Sequence, residues 1–161
     1  MSLPGGYTLR SATAADAAVI AAQRGQMFVD MNELTAQGAE EQLDLWADWL
    51  RSAIPQGDYR GVLVVHGAHV VGGVGMMLHP KIPSARDRAL FSAYVMNMYV
   101  VPQHRRRGLA EALMNEMLVQ ARSQGLHSVK LHAAPMGRAI YERLGFVEST
   151  NPELRLSLEQ P

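Results

Sequence analysis

A chain of 161 residues, 48% of them hydrophobic, can bury one core but not two, so a single domain over residues 1–161 is expected. Fifteen basic residues balance fifteen acidic ones, which removes the positive field that nonspecific nucleic-acid or anionic-membrane binding requires. The absence of cysteine excludes disulfides, thiolate metal sites and cysteine nucleophiles from this chain.

The first residues lack the basic-then-apolar layout of a signal peptide, and no run approaches the roughly 18 apolar residues of a spanning helix. A soluble, cytoplasmic protein is the expectation. "YTLRS" alternates as a short strand, and a helix follows from Thr13, where Asp16 stands three residues on in an approximate capping-box position. A second helical pattern covers about Gly38 to Ala53, with Leu43, Trp46, Leu50 and Ala53 on one face and Pro55 and Gly57 ending it. "YRGVLVVHGAHVVGGVGMMLHP" reads as an antiparallel hairpin around His66-Gly67-Ala68, carried on to Pro80, with Gly72, Gly73 and Gly75 marking a bulge or a close backbone approach.

After the polar loop "KIPSARDR", "ALFSAYVMNMYVV" is a long strand closed by Pro102. The next helix runs to Gln124, with Leu109, Leu113 and Met117 spaced by four, and Gly125 stops it. "HSVKLHAA" makes a fifth strand, "PMGRAIYERL" a short helix opened by Pro135, and "GFVEST" and "ELRLSL" two closing strands. The alternation predicts an α/β fold, a mixed sheet with helices packed against it and no internal repeat.

"QHRRRGLAEALM" falls where a strand ends and a helix begins. The first turn of a helix exposes amides without intrahelical partners, and its dipole favours an anion. Gly108 permits close approach to the backbone, Ala110 keeps the next turn slim, and Arg105, Arg106 and Arg107 surround the point with positive charge. Basic runs are most often solvated surface, but this strand-Pro-basic-Gly-x-Ala-helix context favours a phosphate cradle. A Walker loop is ruled out by the missing Lys-Ser/Thr, and "VVGGVGMML" does not fit a dinucleotide fingerprint.

Arg105-Arg106-Arg107-Gly108-Leu109-Ala110, preceded by Val100-Val101-Pro102 and followed by "AIYERLGF" at residues 139 to 146, resembles the signature of the GCN5-related N-acetyltransferases. The element order is similar to that family's fold over nearly the whole chain. The resemblance implies two splayed central strands with acetyl-CoA in the gap. The backbone of Met98, Tyr99 and Val100 would pair with the pantetheine arm, and the amides from Arg106 to Ala110, Leu109 included, would hold the pyrophosphate. Ala134 stands where many members carry an asparagine, so one cofactor contact is expected to be lost.

Acetyl transfer to an amine needs a neutral amine, an oxyanion donor and a proton for the departing thiolate. A backbone amide near Met98 is the candidate donor. Tyr141 is the candidate acid, set about 100° from a Met136, Ile140, Leu144 stripe expected to face the core. Gly137, one turn earlier, suggests that something approaches closely. The strand on which many relatives carry a catalytic glutamate has no carboxylate here. Asp30 and Glu33, water relayed through backbone or Asn97, and His79 all remain open as the base, whereas His66 and His69 only bracket a turn and no metal site is expected. Met27, Phe28, Met31, Met76 and Met77 flank the presumed acceptor side, although clustered methionines are more often core.

The resulting expectation is an acetyl-CoA-dependent N-acetyltransferase acting on a primary amine of a small molecule or peptide by direct transfer in a ternary complex. The acceptor would enter beside the first two helices and the loop at residues 79–88. The alternative is an acyl-CoA-binding sensor module of little or no turnover. No nucleic-acid or membrane partner is expected, and a homodimer is left open.

Overall fold

The β-branched hairpin sets the centre of the sheet. In the computed structural model, which describes residues 3, 5–85 and 87–158, strands β2 (Tyr59–His66) and β3 (His69–Pro80) pair antiparallel. His66 faces His69 across a two-residue turn in which Gly67 takes φ +59°. Strand β1 (Tyr7–Ser11) pairs antiparallel with β2, β4 (Phe91–Val100) antiparallel with β3, and β5 (Val129–Leu131) parallel with β4. The sheet order is β1-β2-β3-β4-β5.

Alternation along β2 sends Val62 and Val64 to one face and Tyr59 and Leu63 to the other. Helix α4 (Leu109–Ser123) covers the first face with Leu109, Leu113, Met114 and Met117, as the four-residue spacing predicts. The second face carries α1 (Ala17–Asp30) and α3 (Leu43–Gln56), which bury Ile20, Ala47, Leu50 and Ala53. The mixed α/β architecture is therefore as expected. A short 3-10 turn, Ala14–Asp16, leads into α1. There the Asp16 carboxylate accepts the Thr13 N–H at 2.8 Å and receives a bidentate Arg10 fork at 2.7 and 2.8 Å.

The glycines of β3 do what a bulge and close packing require. A Cβ on Gly75 would overlap the Tyr59 phenol, and one on Gly72 would lie 2.7 Å from the Tyr99 carbonyl oxygen. Between Gly73 and Gly75 the β3–β4 register shifts, because Val74 alone faces both Asn97 and Met98. Asn97 takes φ +55° at this bulge.

Five boundaries differ from the sequence reading. The helix expected over residues 38–53 is two helices, α2 (Ala36–Glu40) and α3, since Thr35 caps the first by accepting the Gly38 N–H. Pro55 lies inside the last turn of α3, and Gly57 at φ +81° ends it. The fifth strand shrinks to three residues because its pairing with β4 lasts only from Val129 to Leu131. Helix α5 (Arg138–Arg143) starts after Pro135, in a turn where the Ala134 carbonyl accepts both the Gly137 and Arg138 amides. The closing strands "GFVEST" and "ELRLSL" do not form. Val147, Leu154, Leu156 and Leu158 are exposed, and alternation without a partner edge makes no strand.

Candidate active site

The site begins where β4 and β5 part. Their parallel pairing covers Ala93 to Val95 against Val129 to Leu131 and then stops, so the β4 backbone from Met96 to Val100 borders a gap instead of a strand. A cavity of about 1390 Å³ fills that gap, walled by β4, by Leu131 to Gly137, by α1 and by the start of α4. Met98, Tyr99 and Val100 all line it. Tyr99 and Val100 are buried and pair with Gly73 and Gly72 of β3.

At one end the cavity meets a backbone concavity. Arg106 takes φ +61° and Gly108 φ +76°, and Gly108 caps α4. The first amide of α4 with a helical acceptor is that of Ala112, at 3.0 Å from the Gly108 carbonyl. The amides of Leu109, Ala110 and Glu111 precede it and are the orphan donors of the helix start. Two left-handed residues beside such a terminus form an anion-binding nest. No protein atom lies within 4 Å of where a Gly108 Cβ would stand. The Leu109 side chain is buried in the core while its amide faces the cradle.

The three arginines separate by role. Arg105 donates to the Val100 carbonyl at 2.8 Å and to Asp30 at 2.5 Å, and its guanidinium lies over the Tyr99 ring, so it ties the end of β4 to the end of α1. Arg106 lines the cavity, whereas Arg107 does not and reaches back to the Gln103 carbonyl. Tyr141 lines the cavity wall with its ring 5.9 Å from Phe146. Its hydroxyl makes no hydrogen bond among the described residues. Burial pushes its pKa above the ordinary phenol range. Tyr141 is itself a core residue, while Met136 is exposed, so the stripe expected on this helix is rotated toward the tyrosine. The close approach at Gly137 is explained by the same ring, since a Cβ there would lie 3.2 Å from Tyr141. Ala134 lines the cavity and offers no side-chain polar group.

The α1 side of the cavity is formed by Arg24, Met27, Phe28 and Asp30, with Met31 and Glu33 just beyond the helix. Hydrogen bonds from Arg105 and then Gln26 hold the Asp30 carboxyl below its ordinary range, which makes it a weak base. Met76 is core, and His79 stacks on Tyr94 outside the cavity. No described residue of the loop at 79–88 lines the cavity. Among the lining residues that the sequence reading did not single out are Tyr94, His132 and Arg24. Tyr94 and His132 join at 2.5 Å across the last paired rungs of β4 and β5. Arg24 donates at 2.5 Å to Asn97, whose amide nitrogen donates to the Tyr59 hydroxyl at 3.2 Å. Among the described residues, no acidic or histidine cluster could hold a metal ion, and no helix is long and apolar enough to cross a membrane.

A splayed sheet with an amide cradle at one end of the gap is the architecture of an acyl-CoA transferase, and comparison with known proteins agrees. Residues 30–156 match the Acetyltransferase (GNAT) domain family. The GCN5-related N-acetyltransferase from Ralstonia eutropha JMP134 is 28% identical and superposes with a TM-score of 0.84, over 94% of this chain and 99% of that one. A predicted acetyltransferase with acetyl-CoA from Clostridium acetobutylicum, 17% identical, gives 0.85 over 94% and 96%. Glucosamine-6-phosphate N-acetyltransferase from Arabidopsis thaliana, 15% identical, gives 0.69 over 95% and 99%. Among curated proteins, none is significantly similar in sequence. The chain belongs to the GNAT family of acetyltransferases, whose acetyl donor is acetyl-CoA.

Proposed function

We propose that this protein transfers the acetyl group of acetyl-CoA directly to a primary amine of a small molecule or peptide while both substrates are bound. One observation carries the reading. A single cavity is lined by the start of α4, by the β4 edge from Met96 to Val100 and by Arg24, Met27 and Phe28 of α1, which gives donor and acceptor a common space in which to meet.

Acetyl-CoA would supply the activated acetyl group. Its diphosphate fits the amides of Leu109, Ala110 and Glu111 and the open space at Gly108, and its arm fits the edge of β4 from Met98 to Val100 that β5 leaves uncovered. An amide of the β4 bulge is suited to stabilise negative charge on the acetyl oxygen. Tyr141, protonated at neutral pH, would donate to the departing sulfur. Tyr94 is less suited, because its hydroxyl is engaged by His132. No cysteine is present to carry an acetyl group, which supports direct transfer.

Initial rates of thiol release from acetyl-CoA over a panel of amines test this reading. Intersecting reciprocal plots are expected, and parallel ones would indicate a covalent acetyl-enzyme instead. The second reading is a non-catalytic acyl-CoA sensor. It is favoured by the absence of a carboxylate from β4 together with the capture of Asp30 by Arg105. Tight acetyl-CoA binding with no turnover on any amine would establish it.

A further inference from the structure

Arg24 is a half-buried cation with few polar partners. It lies on α1 with its guanidinium carbon 4.7 Å from the Phe28 ring centre and 5.4 Å from that of Trp46. Burial lowers its pKa, as expected of a cation withdrawn from water. A guanidinium has five N–H donors, and the one described acceptor is the neutral Asn97 amide oxygen. Arg24 takes part in no ion pair among the described residues. Two carboxylates of the cavity wall are engaged elsewhere, Asp30 by Arg105 and Glu111 by Arg143, and Glu153 is exposed. Glu33, the remaining one, is exposed. A cation that has lost part of its hydration, with two aromatic faces and one neutral amide as partners, gains from an anion that reaches it through the cavity.

The position is as informative as the charge. Arg24, Met96 and Asn97 line both the main cavity and a second one of about 450 Å³, whose other walls are Leu45, Trp46, Trp49, Leu50, Tyr59 and Met77. The polar groups of the second cavity's lining side chains are those of Arg24 and Asn97, the Tyr59 hydroxyl and the indole N–H groups of Trp46 and Trp49. Asn97 is fixed at both ends, by Arg24 and by Tyr59, and stands on the bulge beside which the sheet opens. The cation is therefore anchored next to the point where an amine would meet the acetyl group, with an apolar chamber behind it. The diphosphate cradle lies elsewhere, on α4, so Arg24 is not a cofactor-phosphate ligand by position.

We propose that Arg24 binds the carboxylate of the acceptor, and that the acceptor is an amine bearing a carboxylate and an apolar side group, the chemistry of an apolar α-amino acid. The guanidinium fork matches a carboxylate in two parallel hydrogen bonds, and the aromatic walls receive the side group. This specificity assignment rests on the acetyl-transfer reading above, but carboxylate binding can be measured without turnover.

The test uses the intact protein with L-phenylalanine and L-leucine, the amide of each, the corresponding decarboxylated amines, and glucosamine 6-phosphate as a polar phosphorylated amine. The expected kcat/KM for the amino acids exceeds that for their amides and decarboxylated amines by about 10- to 100-fold, the scale of a charge-assisted pair. Arg24→Gln should abolish that ratio while acetyl-CoA still binds, and Arg24→Lys should restore part of it. In parallel, calorimetry with CoA present compares N-acetyl-L-phenylalanine with its amide, and the acid is expected to bind at least about tenfold tighter. Equal use of acids and amides, equal binding of the two products, or preference for the phosphorylated aminosugar would each overturn the assignment. Acid-selective binding without turnover on any amine would support the Arg24 anchor and overturn the transfer reading instead.

Discussion

Replacing Gly108 by valine separates the cradle from the fold that presents it. Gly108 holds φ +76° and ψ 4°, and a Cβ there meets no protein atom within 4 Å. The left-handed conformation costs an L-residue roughly 1–2 kcal/mol, which in a chain of this size lowers Tm by roughly 2–8 °C. No core contact is lost, since nothing packs against this point. Ligand binding loses more, because the valine branches occupy the space through which a phosphate reaches the amides of Leu109 to Glu111. One charge-assisted amide bond is worth about 1.5–3 kcal/mol, so acetyl-CoA affinity should fall about 10- to 150-fold. Gly108→Asn is the companion variant. Asparagine tolerates the left-handed region, so this variant should unfold close to the parent temperature and still bind more weakly through its added bulk. Calorimetric titration with acetyl-CoA, paired with thermal unfolding of each variant, reads both quantities. A folded Gly108→Val protein binding acetyl-CoA within about twofold of the parent would refute the cradle.

Tyr141→Phe keeps the ring packed on Phe146 and removes only the hydroxyl, so acetyl-CoA affinity and Tm should hold while kcat falls about 100- to 10,000-fold. Parent-like single-turnover rates with a productive acceptor would return Tyr141 to a packing role. The arginine run should divide under alanine substitution: Arg106→Ala weakens acetyl-CoA several-fold, Arg107→Ala leaves affinity unchanged, and Arg105→Ala mainly lowers stability by releasing Val100 and Asp30. Equal affinity losses at all three positions would contradict that division. The Arg10 fork, opposed by burial, holds the Asp16 pKa at about 2 against an unfolded value near 3.9. A depressed folded pKa stabilises above the unfolded pKa and loses its effect as pH falls toward 2. Asp16→Asn should therefore cost about 2 kcal/mol in urea unfolding at pH 7, and the difference from the parent should nearly vanish at pH 2. An unchanged difference at the two pH values would assign the loss to packing.

Periodicity made the sheet and the long helices legible because burial itself is periodic. Leu109, Leu113 and Met117 could be read as one face of α4, and Trp46, Leu50 and Ala53 as one face of α3, without knowing what each face would meet. The backbone concavity at Gly108 was legible for the same local reason: a strand end, a glycine and a helix start lie within ten residues of each other. What escaped was decided by partners distant in sequence. The alternation in "ELRLSL" states which way side chains would point if the segment were paired, yet pairing belongs to the neighbouring edge, and β5 is only three residues long. The Asn97 bulge depends on Val74 of the adjoining strand.

The two ends of the site show how charge misleads when it is read along the chain. Three consecutive arginines suggested a concentrated positive site, but one ties β4 to α1, one lies outside the cavity, and Arg106 alone lines it beside the free amides at the start of α4 without a structural bond of its own among the described residues. Arg24, in the unremarked "AAQRGQ" of α1, is the cation that the fold withdraws from water, because Phe28, Trp46 and Asn97 close around it from three different elements. An arginine in water interacts weakly with any single anion, whereas one whose hydration is partly replaced by aromatic walls and a single amide gains more from each carboxylate oxygen it meets. Specificity for the acceptor is therefore sought at the isolated cation, and affinity for the donor at the glycine beside the clustered ones.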